Sequence, residues 1–145
     1  MLTKKSLVLA LFLAVLSGFL MNEVSNAQSM PGVSVSANKK SFKAGDSGIL
    51  TIKFKTGNGV KIPKEPPIDV TITSDNINGQ GVQDYTGGEG DYLTNNLVKY
   101  KFTVPDNTEA GDYTVTGTVK FGYCSSESGV CKLGNKSFSV KIKVK

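Results

Sequence analysis

The 145-residue chain has no histidine and no tryptophan, and each of its basic residues is a lysine. The missing imidazole removes the Ser-His-Asp and Cys-His systems that activate a nucleophile. It also takes away the commonest ligand for zinc and copper. The missing guanidinium takes away the planar fork that grips phosphate and base edges. The lysines are spread along the chain rather than bunched, so they read as solubilising groups on sheet faces and edges, and nucleic-acid binding is not expected. The missing tryptophan removes one hallmark of antibody-type domains. No metal or organic cofactor is expected. No stretch beyond the first 27 residues is apolar enough to cross a bilayer, so no stable membrane insertion is expected of the exported chain.

Those first 27 residues read as a cleaved secretory signal peptide. Lys4 and Lys5 give the positive start, residues 7–21 form a short apolar core broken by Ser17 and Gly18, and Ser25-Asn26-Ala27 places small residues before the cut. Residues 1–27 are thus taken as signal and residues 28–145 as one domain, destined for the periplasm or the exterior. The chain carries 17 basic and 12 acidic residues; removing two lysines and Glu23 with the signal leaves it basic. A chain of this length suits a single domain with its own core. Export also means that its two cysteines are expected to oxidise.

Within the domain, period-two apolar runs recur between turn signals. "VSVSA" at 33–37, "ILTIKFKT" at 49–56, "IDVTITS" at 68–74, "LVKYKFTV" at 97–104, residues 112–123 and "SFSVKIKV" at 137–144 each put apolar groups on one face and Lys, Thr or Ser on the other. That is the pattern of antiparallel sheets with one wet side. Six strong strands and one or two weak ones predict an all-β, immunoglobulin-like antiparallel β-sandwich. "VPDNTEAGDYTV" at 104–115 ends one strand and opens the next with Tyr113, the pattern of a tyrosine corner, although Val115 stands where antibody domains place a cysteine. Residues 75–96 are the least regular, rich in glycine with Tyr85 and Tyr92 among them. They read either as a functional loop or as a weak edge strand near Val82 between glycine turns. "KIPKEPP" at 61–67 is a proline-stiffened connection with no assigned chemistry.

The two cysteines, Cys124 and Cys131, close the base of the polar loop "SSESGV". A bridge there would stabilise by roughly 2.5 kcal/mol on the loop-entropy estimate. That energy leaves open a passive staple and a pair that exchanges with thiols, while the spacing alone favours the staple.

The residues Phe121-Gly122-Tyr123-Cys124 and Gly129-Val130-Cys131, framed by "AGDYTVTGTVKF" and "FSVKIKV", resemble the N-terminal domain of the thiol:disulfide interchange protein DsbD. The resemblance implies an immunoglobulin-like periplasmic module with Cys124 and Cys131 as its catalytic dithiol. It would relay reducing equivalents to periplasmic thioredoxin-like or disulfide proteins through a transient mixed disulfide, Cys131 bonding the partner and Cys124 resolving. It also implies a cap loop over the sulfurs, for which Tyr85, Glu89, Asp91 and Tyr92 are the candidates. The spacer is one residue longer than in that family, and Lys132-Leu133-Gly134 stands where the family tends to carry aromatic and proline residues. The chain shows neither a transmembrane conduit nor a thioredoxin-like domain, so donor and acceptor would be separate proteins. The competing reading is a secreted binding or adhesion module whose disulfide only pins the hairpin, with Tyr85 or Tyr92 in contact with the partner.

Overall fold

The computed structural model describes residues 29–145; the signal-peptide reading falls on residues outside the described part. Nine strands are formed among the described residues: β1 (Gly32–Ala37), β2 (Ser41–Phe42), β3 (Ser47–Lys55), β4 (Val60–Lys61), β5 (Asp69–Ile72), β6 (Asn78–Val82), β7 (Leu97–Thr103), β8 (Gly111–Ser125) and β9 (Cys131–Val144). They make an immunoglobulin-like β-sandwich of two sheets. One has the order β1-β3-β7-β6 and is antiparallel throughout. The other has the order β2-β9-β8-β4, with β5 also paired to β8. Only the short β2–β9 pairing is parallel.

The alternation read from the sequence decides which side chains meet between the sheets. Leu50, Ile52 and Phe54 of β3 lie beside Val98, Tyr100 and Phe102 of β7 on the inner face of one sheet, and all six are buried. Val115, Val119 and Phe121 of β8, with Ile142 and Val144 of β9, close the core from the other sheet. Rings cross the interior in contact, Phe54 with Phe121 at 4.8 Å and Phe42 with Phe102 at 5.3 Å between centroids. Burial raises the Tyr100 phenol above its ordinary pKa; an N–H bond from Gly81 opposes that.

The tyrosine corner is formed: the Tyr113 hydroxyl donates to the Glu109 carbonyl at 2.8 Å. The weak strand expected near Val82 is β6, an edge strand whose register shifts between Gly79 and Gly81. Gly79 lies against the Tyr100 hydroxyl so closely that a Cβ would fall 1.9 Å from it. The remainder of that glycine-rich stretch, from Gln83 to Asn96, has no strand of its own. Two strands were not visible as patterns. β2 and β4 are each two residues long and exist because β9 and β8 offer ladders to pair with.

Candidate functional site

β8 and β9 form one continuous antiparallel ladder from Gly111↔Val144 to Cys124↔Cys131. The turn that joins them is short. Ser125 N–H donates to the Val130 carbonyl and Gly129 N–H to the Ser125 carbonyl, both at 2.9 Å. Gly129 supplies the left-handed φ of 67° that the turn requires. Cys124 and Cys131 are therefore directly opposed, with 4.0 Å between their Cα atoms, and their sulfurs are bonded. Cys124 is buried, 5 % exposed, whereas Cys131 is exposed. β4 braces the other side of β8 here, Lys61 opposite Cys124, and the Ser126 hydroxyl and N–H both donate to the Gly59 carbonyl.

The disulfide forms part of the lining of an open groove of about 450 Å³. One wall is the proline-stiffened run, with Pro63, Lys64, Glu65 and Pro66; a second is Thr86, Gly90, Asp91 and Tyr92; Lys132 and Leu133 complete it. The two walls are tied by backbone bonds: Leu93 N–H donates to the Ile62 carbonyl at 2.9 Å and Lys64 N–H to the Asp91 carbonyl at 2.8 Å. Gly122 sets the depth on the sheet side, because a Cβ there would lie 3.0 Å from the Pro63 ring.

Lys64 is a buried lysine, 7 % exposed, and its ammonium holds the glycine-rich wall in place. Nζ donates to the carbonyls of Thr86 and Gly87 at 3.0 Å and of Gly88 at 3.4 Å. A buried ammonium is tolerated only when its donors are satisfied in this way. Next to it, Thr86 donates through its hydroxyl and its N–H to Asp84 and holds that carboxyl below its usual range. Tyr85 is turned inward against the core, its hydroxyl accepting from Ile68 N–H at 2.5 Å.

The four residues expected of a cap loop thus divide. Asp91 and Tyr92 stand in the groove wall beside the disulfide, Glu89 is exposed outside the lining, and Tyr85 is an internal anchor. The segment stands to the side of the sulfurs and leaves Cys131 exposed. The sequence reading missed Pro63, Pro66, Lys64 and Leu133. The proline run and the short apolar Leu133 beside Cys131 were legible signals; nothing in the sequence marks Lys64 as buried. Large hydrophobic side chains left exposed among the described residues are Leu133 (76 %), Val130 (49 %), Met30 (41 %) and Tyr92 (39 %). Three of these four lie on the hairpin or in the groove wall. Lys61 stands over the Tyr92 ring at 5.4 Å, so one face of that ring is already occupied by a cation. Among the described residues no group of cysteine, aspartate or glutamate gathers as a metal site.

Compared with protein-family models, the chain matches none. No curated protein matches it either. Solved structures that match include BcpA, the major pilin subunit of Bacillus cereus, at 16 % identity and a TM-score of 0.43 over 80 % of this chain and 40 % of that one. They also include AggA, the major subunit of aggregative adherence fimbriae type I from Escherichia coli, at 12 % identity and a TM-score of 0.40 over 81 % of this chain and 97 % of that one. The chain spans well under half the length of the Bacillus pilin.

These findings correct the interchange-protein reading. The neighbours are pilin and fimbrial subunits, and no family or curated match connects the chain to DsbD. The redox relay through Cys124 and Cys131 is set aside, and with it the transient mixed disulfides with thioredoxin-like partners. The resemblance rested on residues around the two cysteines, and the structure gives those residues a local reason. Phe121 and Tyr123 alternate with Gly122 and Cys124 because the strand buries the two rings between the sheets and turns the glycine and cysteine to the opposite face.

Proposed function

We propose that this chain is an exported immunoglobulin-like protein-binding module that docks a polypeptide partner in the groove beside its hairpin, with the Cys124–Cys131 disulfide as a structural staple. The observation that carries the reading is the placement of its exposed apolar groups: of the four large ones, Leu133 and Tyr92 line one groove and Val130 lies on the adjoining hairpin turn, with only Met30 elsewhere among the described residues. Apolar groups left in water at one place mark an interaction site. The groove has the composition of a protein interface, an apolar centre of Pro63, Pro66, Tyr92 and Leu133 within a rim of both charge signs, Lys132 against Glu65 and Asp91. Export is supported by the apolar opening of the sequence and by a formed disulfide, which persists in oxidising compartments.

The experiment follows surface retention. The exported protein and a Tyr92→Ala/Leu133→Asp variant are produced in the native cell, and the fraction held on the cell surface after washing is measured. The variant should be released into the medium while remaining folded. Equal retention of the two proteins would contradict the groove reading.

A further inference from the structure

The lysines that look scattered along the chain converge on one sheet face. In the sheet β1-β3-β7-β6, the residues with side chains pointing away from the core are Ser34 and Ser36 on β1; Ser47, Ile49, Thr51, Lys53 and Lys55 on β3; Leu97, Lys99, Lys101 and Thr103 on β7; and Asn78 on β6. Lys101 stands opposite Ile49, Lys99 opposite Thr51, and Lys53 opposite Leu97, with Lys55 two residues further on. Taken along the strand axis, the four ammonium-bearing residues follow one another in steps of about 7 Å, crossing from β7 to β3, over about 20 Å in all. All four are exposed.

Two features set this stripe apart from ordinary solubilising charge. β3 and β7 are the two central strands of their sheet, so these lysines do not blunt an edge. No carboxylate shares the outward strand positions of this face; Asp84 lines a groove that also includes Lys99 and Gln83. On the outward face of the other sheet two of the three lysines stand opposite a carboxylate, Lys120 opposite Asp69 and Lys143 opposite Asp112, while Lys141 stands opposite Thr114. Like charges at diagonal positions, such as Lys53 and Lys99, disfavour the fold slightly.

We infer that this face binds an extended, base-free phosphodiester polymer, a polyol phosphate of the kind that carries one negative charge per repeat. The charge spacing of the stripe suits a linear polyanion. Ser34, Ser36, Thr51 and Asn78 flank it with groups that hydrogen-bond to hydroxyls. The face has no aromatic residue on which bases would stack, and the chain has no arginine to read their edges. Lysine serves here as a mobile point charge for each phosphate.

The test uses the exported protein and poly(glycerol phosphate) as probe, with binding read by fluorescence anisotropy across salt concentrations. Four phosphate contacts give a slope of log affinity against log salt near −3, at about 0.7 per contact. A Lys53→Gln/Lys99→Gln/Lys101→Gln variant should lose about two units of that slope and most of the binding at moderate salt. The charge-matched variant Lys120→Gln/Lys141→Gln/Lys143→Gln should keep both. Equal losses in the two variants would overturn the inference, since they would show a response to net charge alone. So would tighter binding to a single-stranded oligonucleotide, or to vesicles of equal parts phosphatidylcholine and phosphatidylglycerol. The Tyr92→Ala/Leu133→Asp variant should bind the polymer normally, which separates this surface from the groove.

Discussion

The two ends of the β8–β9 ladder are made from the same pair of strands and are finished in opposite ways. At the Gly111–Val144 end, β2 adds a parallel pairing, Phe42 and Val144 are buried, Phe42 meets Phe102 edge to face, and Tyr113 ties the corner to Glu109. At the Cys124–Cys131 end the ladder stops at a bonded pair, Leu133 and Tyr92 remain in water in the groove lining, and Val130 is exposed on the turn. The sandwich therefore covers its apolar groups where it closes a core. The exposure at the hairpin is a local property of the groove. What holds the two ends also differs in kind, packed rings at one and covalent and polar ties at the other.

The sharpest way to break this contrast is to remove the same kind of group from each end. Phe42→Ala should lose about 3–5 kcal/mol of stability in urea unfolding, since a buried ring is replaced by a cavity. Leu133→Ala should change it by less than about 0.5 kcal/mol, as an exposed substitution does. Similar losses at both positions would mean that Leu133 is a core residue in solution. Next in size, Cys124→Ala/Cys131→Ala should lose roughly 2.5 kcal/mol and still give a cooperative transition, because the closed end keeps its packing. Loss of folding altogether would show that the hairpin end organises the whole sandwich.

Lys64→Met probes the polar tie. Removing an ammonium that serves three carbonyls should lower stability by about 1–2 kcal/mol. Amide exchange should accelerate around Thr86 to Gly90 before it accelerates in β3 or β7. Uniform acceleration would place Lys64 in the global core instead. A smaller loss is expected at the corner, where Tyr113→Phe should cost about 1 kcal/mol with the groove unchanged.

How much of this was legible follows from the range of each interaction. The strands of the core announce themselves because alternation is local: "ILTIKFKT" and "LVKYKFTV" state which side chains go inside without reference to any partner. The tyrosine corner and the cysteine hairpin are local as well, spanning four and seven residues. The groove is not. Its walls come from residues 63–66, 86–92 and 131–133, brought together by a lysine whose three acceptors lie 22 to 24 residues away. The lysine stripe depends on the register of β3 against β7, across more than forty residues of sequence, so those lysines read as scattered until the strands are aligned. The cysteine motif misled for the opposite reason. Its pattern is local and is accounted for here by two buried rings on a stapled hairpin, so it carried less about chemistry than about strand geometry.

The central claim is that the hairpin end, and not the closed end, meets a partner. The direct measurement is site-specific photocrosslinking of the exported protein on living cells, with the reactive side chain placed at Leu133 in one variant and at Asp112 in another. A discrete protein adduct from position 133 and none from position 112 is the predicted result. Adducts of equal yield from both positions, or none from position 133, would contradict it.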